Sequence, residues 1–99
     1  MLLARRNELD APRSIDLAQH FPNPFNSQTT MVFSLPTEQF VSLAVYDLRG
    51  REIERLVHEH LHAGDHSVTF DGSFLPTAMF LVKLETASKT IVNKMILIK

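Results

Sequence analysis

From Ile15 to Lys99 the apolar residues recur at every second position in short runs, and turn-forming residues interrupt the runs roughly every ten residues. A period of two is the period of a β-strand, because successive strand side chains point to opposite faces. Thr29–Leu35 puts Met31, Phe33 and Leu35 on one face. Phe40–Leu48 puts Val41, Leu43 and Val45 on one face and Ser42, Ala44 and Tyr46 on the other. His66, Val68 and Phe70 alternate within Gly64–Phe70, and Phe80, Val82 and Leu84 alternate against Met79, Leu81 and Lys83. Ser14–Phe21 reads as a short first strand and Thr90–Lys99 as the last. With Arg51–Val57 this makes about seven strands and no convincing long helix, the signature of an antiparallel β-sandwich.

The punctuation has its own chemistry. The DLRGRE stretch, Asp47–Glu52, forms a tight turn, with Gly50 free to take the positive φ of a bulged hairpin. Asp71–Gly72 is a second turn signal. At Phe21–Asn26 the sequence reads FPNPFN. Pro22 and Pro24 keep the residues before them out of the helical region. Asn23 and Asn26 can close side-chain turns, while Phe21 and Phe25 plug the end of the sandwich. Only segment 51–62 is ambiguous: Ile53, Leu56, Val57 and Leu61 also fit a helical spacing. Its β-branched residues and neighbouring turns favour a strand. The 99 residues fit one domain. Residues 1–14, of mixed charge and no period, read as a linker or disordered tail, and residues 15–99 as the folded unit.

Several functions are disfavoured. A net charge of −1 lacks the basic footprint of a nucleic-acid binder. The chain has no cysteine for a disulfide framework and no tryptophan for a sugar platform. No run approaches the ~18 apolar residues of a membrane-spanning helix, and MLLARR is too short and wrongly charged for a signal peptide. The sharpest chemical motif is HEHLH, His58–His62, which spells H-E-x-x-H with Glu59 as base. It lacks the supporting helix and a clear third ligand, so no catalytic zinc site is expected. In an extended segment His58, His60 and His62 share a face, and with His66 they are weak surface candidates for a metal. Glu52 and Glu54 would share a strand face as solvated carboxylates, and His20 reads as a strand-edge residue. No cofactor and no enzymatic activity are expected.

The order of the blocks resembles the type A C-terminal sorting domain of the type IX secretion system. LAQHFPNPFNSQTTMVFSLP, VSLAVYDLRGREIERLV and AGDHSVTFDGSFLPT are followed by a last strand ending in lysine. The positions carrying the resemblance are Phe21, Pro22, Asn23, Pro24, Phe25, Asn26, Tyr46, Asp47, Gly50, Gly64, Asp71 and Gly72. Thr77–Phe80 departs from the family by lacking its glycine. The resemblance implies an immunoglobulin-like sandwich at the C-terminus of a larger exported protein of the Bacteroidetes. It implies passage through the periplasm and outer membrane to the cell surface or beyond. The implied partners are the type IX translocon, a sortase-like peptidase and N-terminal cargo of the same precursor. Lys94, Met95, Ile96, Leu97, Ile98 and Lys99 are the expected sorting signal, since the strand is apolar on both faces and suits strand addition by a partner, or a weak dimer of an otherwise monomeric domain. The alternatives are a fibronectin-like or carbohydrate-binding adhesion module and, more weakly, a small zinc hydrolase.

Overall fold

The computed structural model describes residues 14–19 and 24–99. His20, Phe21, Pro22, Asn23 and nearly all of the expected linker lie outside these residues. The chain forms β1 (Asp16–Gln19), β2 (Gln28–Leu35), β3 (Gln39–Tyr46), β4 (Glu52–Leu61), β5 (Gly64–Asp71), β6 (Ala78–Glu85) and β7 (Thr90–Leu97). Every strand pairing is antiparallel. One sheet has the order β1-β2-β5 and the other β4-β3-β6-β7. This is the immunoglobulin-like sandwich, with the fourth strand on the second sheet rather than beside β5.

Alternation in the sequence becomes alternation in burial. Met31, Phe33 and Leu35 of β2 join Val41, Leu43 and Val45 of β3 and Val82 and Leu84 of β6 in one apolar core, all at most 1 % exposed. At about 1.5–3 kcal/mol for each fully buried large side chain, these residues dominate the folding free energy.

Segment 51–62 is a strand through Leu61, longer than the Arg51–Val57 run suggests. It pairs with β3 through two register shifts. Tyr46 stands opposite Glu52 and Val45 opposite Glu54, so Ile53 is an inserted residue. Likewise Ala44 stands opposite Arg55 and Leu43 opposite Val57, which leaves Leu56 inserted. These are β-bulges. They correct the expectation that Glu52 and Glu54 share a face, because Glu54 follows core-facing Val45 and Glu52 follows Tyr46 on the outside.

The turn between β3 and β4 is as expected. Gly50 has φ 90° and its N–H donates to the Asp47 carbonyl at 3.0 Å. The Asp47 carboxylate accepts from the amides of Arg51 and Arg49 at 2.9 Å each and from Arg51 Nε at 3.0 Å. These bonds, the Arg51 amide foremost, hold the Asp47 carboxyl below its ordinary 3.8. A depressed carboxyl stabilises the fold above its unfolded pKa and loses that contribution as pH falls through the folded value. Asp47→Asn is therefore expected to lower the unfolding midpoint most at neutral pH. The gap to wild type should close below about pH 4, as read from thermal unfolding across a pH series.

Candidate functional site

β7 leaves β6 through a turn in which the Thr86 N–H donates to the Lys89 carbonyl at 2.8 Å and Thr86 Oγ1 accepts from the Lys89 amide at 3.1 Å. Its residues then divide by parity. Met95 and Leu97 point inward and are fully buried. Val92, Lys94, Ile96 and Ile98 point outward, and Val92 and Ile98 are about half exposed (50 and 48 %). The expected sorting residues are thus two sets: Met95 and Leu97 belong to the core, while Lys94, Ile96 and Ile98 face solvent.

Across the β6–β7 register Ile96 stands beside Met79 and Lys94 beside Leu81. Met79 is exposed and Leu81 half-buried, so the outer face of this hairpin is an apolar patch edged with cations. Every lysine of the chain lies between positions 83 and 99. Phe74, in the loop before β6, adds an exposed ring at 67 %.

The free side of β7 is held along its length. Near the start of β7, Lys89 Nζ donates to the Ile15 carbonyl at 3.3 Å and Asn93 Nδ2 to the Leu17 carbonyl at 3.1 Å. At its end the Phe25 N–H donates to the Ile96 carbonyl at 2.9 Å, and the Ile98 N–H donates to the Phe25 carbonyl at 2.8 Å. Phe25 and Leu97 thereby form a parallel bridge. The Phe25 ring is 2 % exposed and meets Phe70 edge-on at 6.2 Å. Beyond the strand, the Lys99 amide donates to Thr77 Oγ1 at 3.0 Å and its Nζ bonds the Ser73 carbonyl. The Ser73 amide bonded to Asp71, aided by the nearby Lys99 charge, lowers the Asp71 carboxyl pKa. The edge of β7 is thus met at its end by the backbone of Phe25, which bonds on either side of Leu97.

The other motif positions divide by role. Gly64 has φ 120°, a conformation that disfavours side chains. Gly72 is needed for space instead: a Cβ there would lie 3.3 Å from the rings of both Phe25 and Phe70. Pro24 and Asn26 are exposed beside buried Phe25. Tyr46 is half-buried beneath Lys83 Nζ, 5.1 Å from the ring centroid, a cation–π contact. Alternation revealed the parity of β7. Nothing in the sequence period revealed that Phe25 would bracket Leu97, or that Ser73 and Thr77 would receive Lys99.

The histidines do not converge. His58 and His60 lie on the outer face of β4 and flank Phe40 edge-on at 4.9 and 5.4 Å. Arg55 Nη1 donates to His58 Nδ1 at 3.1 Å, which occupies the lone pair a metal would need. His66 belongs to the other sheet, stacks on Phe33 at 5.2 Å and donates Nε2–H to the His62 carbonyl at 2.8 Å. Among the described residues no group of three or more His, Cys, Asp or Glu is placed to hold a metal ion.

The family model of the secretion system C-terminal sorting domain matches residues 19–99. No curated protein matches the sequence.

Proposed function

The chain belongs to the secretion system C-terminal sorting domain family, and from that premise we propose that it carries a larger precursor through the type IX system by presenting the outward half of its last strand. The family is one of sorting signals, not of enzymes. In this reading Lys94, Ile96, Ile98 and Lys99 are what the translocon contacts, while Met95 and Leu97 hold the strand in place. The supporting observation is the division of β7 by parity, which leaves branched apolar side chains exposed beside lysines on a strand whose other face is buried at Met95 and Leu97. Exposed apolar clusters rimmed by polar residues mark interaction surfaces. Residues 1–14 serve as the tether to cargo and residues 15–99 as the recognised unit. The cargo crosses the outer membrane to the cell surface or the medium, and a sortase-like peptidase acts on the precursor there.

Deleting residues 90–99 is a blunt test, because it strips Met95 and Leu97 from the core and unfolds the domain. Ile96→Ser with Ile98→Ser spares the core. A fluorescent passenger fused to this domain, expressed in a cell with a working type IX system, reads the outcome. The double variant should keep a cooperative unfolding transition and lose export by roughly tenfold or more, as expected when central apolar contacts of an interface are removed. Undiminished export of the folded variant would remove the outward face from the mechanism.

A further inference from the structure

The two sheets have unequal numbers of strands, and the difference leaves a place for one more. β1 lies against β7, as the Asn93–Leu17 and Lys89–Ile15 bonds show. Counting across from that seam sets β2 over β6 and β5 over β3, and nothing over β4. Burial agrees. Of the ten residues of β4 only Val57 is buried, whereas its hairpin partner β3 buries four of eight. The inner face of β4 is nonetheless built to be covered. The two bulges add Ile53 and Leu56 to the side that carries Val57 and Leu61, and all four pack against the core margin. Glu54 and Glu59 share that face, opposite the core residues Val45 and Val41, and both are exposed.

The wall of this place is the free edge of β5. The Gly72 N–H donates to the Ser27 carbonyl at 2.7 Å, one rung beyond the Gln28–Asp71 pair. The register is regular from Gly64 to Asp71. Even-numbered residues of β5 therefore turn their amide groups toward β2, and Asp65, Ser67 and Thr69 turn theirs outward. Among the described residues the other edges are less regular. β1 receives the Lys89 and Asn93 side chains, β7 is bridged at its end by Phe25, and β4 is interrupted by its bulges, a common protection against further pairing. The β5 edge runs eight residues without bulge, proline or lysine.

The surroundings are acidic. Glu54 and Glu59 stand on the floor, while Asp65 and Asp71 lie at either end of β5 on its outer face, where Asp65 accepts from Ser34 Oγ at 2.8 Å and Asp71 from the Ser73 amide at 2.9 Å. The one cation of β4, Arg55, is opposite Ala44 on the far face and bonded to Glu52 and His58. We propose that this slot receives an extended segment of a partner protein as a fourth strand beside β5, with alternate apolar side chains laid on the floor of β4 and lysine or arginine side chains set against Glu54 and Glu59. Main-chain bonds to Asp65, Ser67 and Thr69 supply affinity, and the acidic lining selects basic strands over acidic ones. The inference rests on strand count, register and charge, independently of what β7 does.

The test is a titration of isotope-labelled protein, followed by amide NMR. The probe is a short synthetic peptide of alternating valine and threonine with a lysine at each end. Its control carries glutamates in place of the lysines. Binding should shift the Asp65, Ser67 and Thr69 amides and slow their exchange, and the control should bind more weakly. Thr69→Pro removes an outward N–H without touching the β2 ladder and should weaken binding by roughly tenfold, the scale of one lost hydrogen bond with an added ring in the way. Glu59→Lys should weaken it with an unchanged unfolding midpoint, and Ser67→Pro replaces Thr69→Pro should that variant unfold. The inference is overturned by absence of binding, by shifts confined to β7, or by equal binding of the control. Slowed exchange of the same β5 amides with protein concentration alone would overturn it too, since a second copy would then be the occupant.

Discussion

Phe25→Ala is expected to lower the unfolding free energy by about 3–5 kcal/mol, the usual range for emptying a buried phenylalanine site. The ring is almost wholly enclosed, lies edge-on to Phe70, and sits against the only face of Gly72 that a side chain could have used. The neighbours are poorly placed to refill the space, because Gly72 has no side chain and Phe70 and Leu97 are already fixed by their strands. Against a total of about 5–15 kcal/mol for a domain of this size, that loss is severe. It also has a local sign. The backbone of residue 25 brackets Leu97 with two hydrogen bonds. Without the ring to seat it, the exchange of the residue 25 and Ile98 amides should accelerate ahead of those of β2 and β3. Chemical denaturation and amide exchange check both parts, and a loss below about 1 kcal/mol would mean the corner only rests on the sandwich.

The next largest effect belongs to the last strand. Leu97→Ala should cost about 2–5 kcal/mol, because the side chain is fully buried among Phe25, Phe80 and Met95 in a core that packs at crystal-like density. Ile98→Ala, one residue on, should change stability by no more than about 0.5 kcal/mol, because Ile98 is half exposed. Denaturant midpoints of the two variants measure the contrast directly. Similar losses at both positions would show that β7 is covered on its outer face as well, and would undo the division of labour on which the export reading stands.

The strands that could be read from the sequence were those with an unbroken period of two. β2, β3, β6 and β7 alternate because each packs one face on the core through its whole length. Segment 51–62 could not be read so plainly, and the bulges explain why. Each adds one inward residue out of turn, so apolar positions fall at Ile53, Leu56, Val57 and Leu61, a spacing that imitates a helix. Gly50 was legible because a positive φ leaves a local signature in the turn around it. Gly72 read as a turn residue, whereas its chief constraint is the closeness of two rings far apart in the sequence. Of the candidate site, the exposed and buried halves of β7 followed from alternation. The Phe25–Leu97 bridge did not, since a main-chain pairing between distant segments depends on no side-chain pattern.

The bracket at Phe25 has a consequence for proteolysis. It joins a corner ahead of β2 to the final strand, and the same few residues supply two of the fully buried side chains, Met95 and Leu97. A molecule nicked within β7 would lose backbone pairing and interior volume together, and would collapse as a whole instead of fraying. The exposed face of β7 and the integrity of the polypeptide are therefore governed by one and the same equilibrium.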